Sequence, residues 1–252
     1  MRTYVVTGAA SGIGAATSAR LRAAGHRVIG VDLHDADIET DLATAGGRAA
    51  LAPEVERLTG GRVDAVVAGA GISADSPRTI SVNFFGAAAT LEALRPMLAR
   101  GSDPRAVTIA SIASILGAEE PVVDACLAGD EAEALRLMAA NPTMAYLTSK
   151  RALARWVRRS APTGSWAGAG IALNAVAPGT VLTPMTADLL ASDPGRELVD
   201  SSVPMPLHGH APPEAVAAAI DFLADAATTH VTGQVLFVDG GADAVLRGDA
   251  TW

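Results

Sequence analysis

Short apolar runs rich in β-branched residues alternate along the chain with longer stretches of helical periodicity, and no other property of the sequence restricts the fold as tightly. The runs are Thr3–Thr7, Val28–Asp32, Val63–Ala68, Ala106–Ser111, Ile171–Ala177 and Gln234–Asp239, with a weaker one at Asp37–Asp41. Helical patterns fall between them at roughly 12–24, 44–59, 79–100, 145–160 and 212–226. Strands that are apolar on both faces need cover on both sides, which helical crossovers between parallel strands provide. The pattern predicts an α/β chain with a doubly wound parallel sheet of about seven strands. A length of 252 residues suits one domain, 1–252. Half the residues are hydrophobic, but 54 are alanine, whose small side chain lets helices approach a sheet closely.

Two segments break the rhythm. Residues 117–143 contain helical patterns at Val122–Ala128 and Asp130–Ala140, with Asp130 as a plausible N-cap. Residues 183–213 are rich in Met, Leu and Pro, including Met185, Leu189, Leu190, Met205, Pro206 and Leu207. Both read as excursions from the sheet, the second as a substrate-binding lid.

Composition excludes several classes. A net charge of −8 argues against binding a phosphate backbone. No apolar stretch is long enough to span a bilayer, and Met1 leads directly into a strand-like run, so no signal peptide is expected. The one cysteine, Cys126, rules out an internal disulfide and reads as a small buried hydrophobe. These features suit the cytoplasm. His208 and His210 stand two apart without an acidic or cysteine cluster, so no metal is expected.

The first strand runs into Thr7-Gly8-Ala9-Ala10-Ser11-Gly12-Ile13-Gly14, and a helix follows at once. Gly8 permits a tight turn, Gly12 lets backbone approach a pyrophosphate, and Gly14 permits close helix–strand packing. The helix N-terminus then offers free amides to phosphate. The second strand ends in Asp32, 18 residues after Gly14, where a carboxylate that binds ribose hydroxyls belongs. This is the dinucleotide-binding signature of a Rossmann fold. A carboxylate there repels a 2′-phosphate, Leu33 follows it, and Ala10 stands where a basic side chain could have welcomed that phosphate. The expected cofactor is NAD(H) rather than NADP(H).

Of the 19 Lys and Arg residues only one is lysine, Lys150, four residues after Tyr146. On a helix that spacing puts both on one face. A phenol's ordinary pKa of ~10 is too high for a base at neutral pH, and a neighbouring ammonium lowers it. Arg151, Arg155, Arg158 and Arg159 on the same helix read as a solvated or interface face.

With these motifs in view, the chain resembles the short-chain dehydrogenase/reductase family over essentially its whole length. Thr7, Gly8, Gly12, Ile13 and Gly14 are similar to its cofactor turn, in which Ser11 also takes part, and Tyr146 with Lys150 to its catalytic pair. The resemblance implies catalytic roles for Ser111, closing the fifth strand, and for Asn83. It implies adenine contacts from Asp41 and Leu42, and nicotinamide contacts from Pro178, Gly179, Val181 and Thr183. Ala68-Gly69-Ala70-Gly71 departs from the family, most of which has two asparagines before Ala-Gly. This puts side-chain bracing of the central strands in question, while Ala70 and Gly71 still allow close approach to a cofactor.

The resemblance further implies reversible hydride transfer between a secondary alcohol and a ketone. Tyr146 would be the general acid/base, Lys150 would lower its pKa and hold the nicotinamide ribose, Ser111 would bind the substrate oxygen, and Asn83 would hold a water leading from Lys150. The 34 residues between Ser111 and Tyr146 exceed the family's usual short loop. This looks like the branch of hydroxysteroid dehydrogenases and carbonyl reductases, and implies a hydrophobic, steroid-like or cyclic substrate. Met144, Met185, Leu189, Leu190 and Met205 could line its pocket or simply pack the core. An insertion there would obstruct a common pairing surface, leaving a homodimer through the last helix and strand rather than a tetramer. The competing reading is an NAD(H)-binding regulatory or scaffold protein without catalysis.

Overall fold

The computed structural model describes residues 1–249. Its strands are β1 (Thr3–Thr7), β2 (Arg27–Asp32), β3 (Ile38–Glu39), β4 (Ala65–Ala68), β5 (Arg105–Ile109), β6 (Ala172–Pro178) and β7 (Val235–Val238). Among the described residues they form one seven-stranded sheet, β3-β2-β1-β4-β5-β6-β7, and each adjacent pair is parallel. Strand order reverses between β1 and β4, so a crevice opens beyond their C-terminal ends, where Rossmann-type sheets bind ligands.

Successive residues of each strand serve opposite faces. Tyr4 and Val6 pack against α1 (Gly12–Ala23) and α10 (Pro213–Ala224), whereas Val5 joins the core under α2 (Ala45–Thr59), α4 (Ala87–Leu98) and α7 (Ala145–Ser160). β4 divides in the same way, with Val66 on the second face and Ala65 and Val67 on the first. This two-sided burial is why the strands read as unbroken apolar runs.

Several boundaries differ from the sequence reading. β4 starts at Ala65 rather than Val63, because Asp64 acts as a bracket: its carboxylate accepts the Thr3 amide and the Ser102 amide, each at 2.8 Å. β5 ends at Ile109, so Ser111 does not close the strand. Its hydroxyl instead accepts the Ala113 amide at 3.1 Å and caps a short 3-10 turn, Ile112–Ile115. The helix expected over 79–100 has three parts: α3 (Arg78–Ile80), a π-helical stretch Ser81–Gly86, and α4.

The 117–143 segment folds into α5 (Glu120–Ala128) and α6 (Glu131–Met138), and Asp130 caps α6 by accepting the Glu133 amide at 3.0 Å. It lies outside the sheet yet adds to the core. Val122, Val123, Cys126, Ala134 and Met138 are buried in the same core that α4 and α7 cover. Burial pushes the Cys126 thiol up to about 12, which keeps it protonated and inert. Three of the four α7 arginines make contacts within the molecule. Arg151 and Arg155 both pair with Glu120 of α5, and Arg158 donates to the Gly233 carbonyl.

After β6 the chain makes α8 (Pro184–Leu190) and α9 (Asp193–Ser202) before returning to α10. Its two ends meet in a parallel bridge between Val181 and Ala211. The Leu182 amide donates to Ala211 and the Ala211 amide to Thr180, each at 2.9 Å. No described helix is long and apolar enough to cross a membrane.

Candidate active site

The glycine turn shows why glycine stands at each position. Gly8 has φ +74°, and a Cβ there would come within 2.9 Å of the Ala70 amide. A Cβ on Gly14 would overlap the Gly8 carbonyl, so α1 could not sit against the strand end. Ser11 caps α1 without a side-chain hydrogen bond, so the cap does not consume the first-turn amides. Asp32 stands at the rim, its two carboxylate oxygens accepting the amides of Ala10 at 2.9 Å and Leu33 at 2.7 Å. Free helix amides, a wall of glycines and a fixed carboxylate fit a dinucleotide.

Bracing that an asparagine pair would give comes from threonines instead. The Thr7 hydroxyl accepts the amides of Gly69 and Ala70 at 3.0 and 3.1 Å, and Thr108 donates to the Ala68 carbonyl at 3.0 Å. Three adjacent strands are thereby tied across the crevice floor.

Tyr146 and Lys150 lie in the first turns of α7 and point the same way. Lys150 is buried, its Nζ donates to the Ile109 carbonyl at 2.7 Å, and it stands 5.6 Å from the Tyr146 ring centre. Desolvation lowers its pKa to about 8, still protonated at neutral pH. The Tyr146 phenol moves the other way from the simple expectation. Burial raises its pKa, and the Ser111 hydroxyl beside it offsets this only in part. Desolvation outweighs that hydrogen bond, and Tyr146 is held as a phenol.

Every cofactor-binding residue expected from the sequence, with Ser111, Tyr146 and Lys150, lines one cleft of about 280 Å³. Asn83 lies behind its wall, fully buried in the π-helical stretch. Its amide nitrogen donates to the Ile72 carbonyl at 2.9 Å and to Ser149 Oγ at 3.1 Å, and its oxygen accepts the Ile72 amide at 2.8 Å. Ser149 in turn donates to the Tyr146 carbonyl at 2.7 Å, linking Asn83 to the Tyr146 turn.

The sequence reading missed Arg78, Val82 and Ile72, which also line the cleft. Arg78 and Val82, four apart after the fourth strand, carried a faint signal in their helical spacing. Of the five apolar residues considered for a substrate pocket, only Met185 lines the cleft. Met205 packs on Gly179 and Gly240, and its sulfur accepts the Thr180 amide. Leu189 is exposed, and Met144 packs against the core.

A Rossmann crevice lined by a tyrosine, a lysine and a serine defines a class of oxidoreductase, and comparison supplies the family. Residues 2–123 match the short chain dehydrogenase model, and residues 132–243 match a model described as enoyl-(acyl carrier protein) reductase. The chain belongs to the short-chain dehydrogenase/reductase family. It is 37% identical to 3-alpha-hydroxysteroid dehydrogenase/carbonyl reductase of Comamonas testosteroni, with 98% of each chain covered. It is 34% identical to cis-4-hydroxycyclohexanecarboxylate dehydrogenase of Sinomonas cyclohexanicum, with 97% of each covered. Among solved structures, the 3-alpha-hydroxysteroid dehydrogenase of Pseudomonas sp. B-0831, complexed with NADH, superposes with a TM-score of 0.91. The two are 42% identical, and the match covers 98% of this chain and 99% of that one.

Proposed function

We propose that the protein interconverts a secondary alcohol and a ketone on a hydrophobic, steroid-like or cyclic substrate, using NAD(H). The observation that carries this reading is the convergence of Ser111, Tyr146 and Lys150 on the cleft that also holds the Gly12 turn and Asp32. Bound NAD(H) supplies or accepts the hydride. Tyr146 hands its proton to the substrate oxygen in reduction and takes it back in oxidation, while Ser111 holds that oxygen. Lys150 keeps a positive charge beside the phenol as phenolate forms, and Asn83 orders the wall behind them. Asp32 selects the unphosphorylated ribose, and residues 183–213 close over the substrate with Met185 against it. The hydroxysteroid and hydroxycyclohexane substrates named for the two relatives support a cyclic alcohol.

We also read the molecule as a homodimer. The segment 117–143 covers the flank of α7, whereas among the described residues β7 leaves one sheet edge unpaired beside exposed Leu236, Val245 and Leu246. The deciding experiment is a panel of steroid, cyclic and linear alcohols and ketones, with kcat/KM measured for NAD and NADP. Turnover of cyclic substrates with NAD preferred is expected. A preference for NADP overturns the cofactor assignment, and NADH binding without turnover across the panel favours a silent binding protein.

A further inference from the structure

At the Asp32 end of the cleft stands a cation that the glycine signature does not account for. Arg78, the first residue of α3, lines the cleft and donates through Nη2 to Asp41 Oδ2 at 2.8 Å. Its position along the cleft is fixed by one further bond. The Thr40 amide, next to Asp41, donates to the main-chain carbonyl of Asp32 at 2.9 Å, so Asp41 and Arg78 belong to the ribose-carboxylate end. The Leu33 side chain, half exposed, lines the same cleft. This end of the cleft thus carries both an aliphatic side chain and a tethered guanidinium.

We propose that Arg78 is a specificity-determining residue that stacks its guanidinium on the adenine of the dinucleotide, with Asp41 holding it in place. This rests on the NAD(H) reading above. A planar guanidinium stacks on an aromatic face as a compact ammonium does not. Tethering removes side-chain freedom before the ligand arrives, so less is lost on binding. Charge argues against a phosphate partner: Asp41 already neutralises Arg78, and Asp32 adds a further carboxylate. Asp41 has a second tether, since its Oδ1 accepts the Ala43 amide at 2.9 Å.

The test titrates NADH, NADPH and reduced nicotinamide mononucleotide, which lacks the adenosine half, into wild type and the variants Arg78→Ala and Arg78→Lys by fluorescence. Both variants should raise the Kd for NADH about three- to tenfold, the range of a half-exposed cation–aromatic contact. Binding of the mononucleotide should not change. An unchanged NADH Kd in Arg78→Ala overturns the proposal. So does an equal loss for the mononucleotide, which would make Arg78 a support for the fold. A loss confined to NADPH would make it a 2′-phosphate site and overturns it too. If wild type itself binds no NADH, the NAD(H) reading falls first, before any variant is compared.

Discussion

Lys150 bears two opposing demands. A buried ammonium costs stability, yet the proposed chemistry uses a charge beside Tyr146. Its pKa of about 8 in the folded protein lies below the ordinary lysine value of 10.5. Between those values the unfolded chain binds a proton that the native protein does not, so this group makes stability rise with pH across that window and withholds it below. Substituting Lys150→Met should therefore raise Tm at pH 7, with the gap to wild type closing toward pH 10, as followed by calorimetry; a pH-independent gap would contradict the burial argument. Tyr146→Phe should lower kcat by about 10²- to 10⁴-fold, the usual worth of a general acid/base, while NADH binding persists. The Tyr146–Lys150 pair was legible in sequence because both residues lie within one helical turn. The Arg78–Asp41 bond was not, since its partners are 37 positions apart and meet only after β4 and α3 are packed.

At the scale of elements, strands were legible because burial on both faces leaves no polar alternation, and Asp130 because N-caps follow local chemistry. The π-helical stretch was hidden, since Ser81–Gly86 reads as ordinary apolar helix until the Asn83 amide is seen paired with Ile72. The placing of α5 and α6 was equally hidden, because long-range packing decides it. Two sorts of contact hold these helices, and magnitudes separate them. Glu120 is half exposed, so its bonds to Arg151 and Arg155 are each worth about 0–1 kcal/mol. Met138 is fully buried, and truncating such a residue costs about 2–5 kcal/mol. Met138→Ala should therefore lower stability to urea far more than Glu120→Gln; the reverse order would mean that ion pairs anchor the segment. A third link reaches the cofactor end: Arg48 of α2 pairs with Glu131 of α6 and donates to the Leu42 carbonyl at 3.3 Å.

For the whole molecule, the two faces of the sheet differ in what they leave open. The face under α2, α4 and α7 is covered further by α5 and α6, while the β7 edge and α11 (Ala242–Arg247) carry exposed apolar side chains. Light scattering should give a dimer, and Val245→Asp should shift it toward monomer without changing the far-ultraviolet spectrum. A stable tetramer would contradict the reading that α5 and α6 obstruct a second interface.

The bridge between Val181 and Ala211 has a consequence for how such a molecule diversifies. Because the two ends of 182–210 are clamped to each other, whatever lies between them is a cassette. Closing a longer or shorter loop on that clamp adds little entropy, about 0.6 kcal/mol per doubling of length. Beyond the crevice lining at Thr183–Thr186, the span can thus be exchanged for another while the glycines and Tyr146 stay where they are. If this span binds substrate as proposed, substrate range and redox chemistry are written in largely separable parts of one chain, and grafting 187–210 onto a relative is a direct way to move the first with little change to the second.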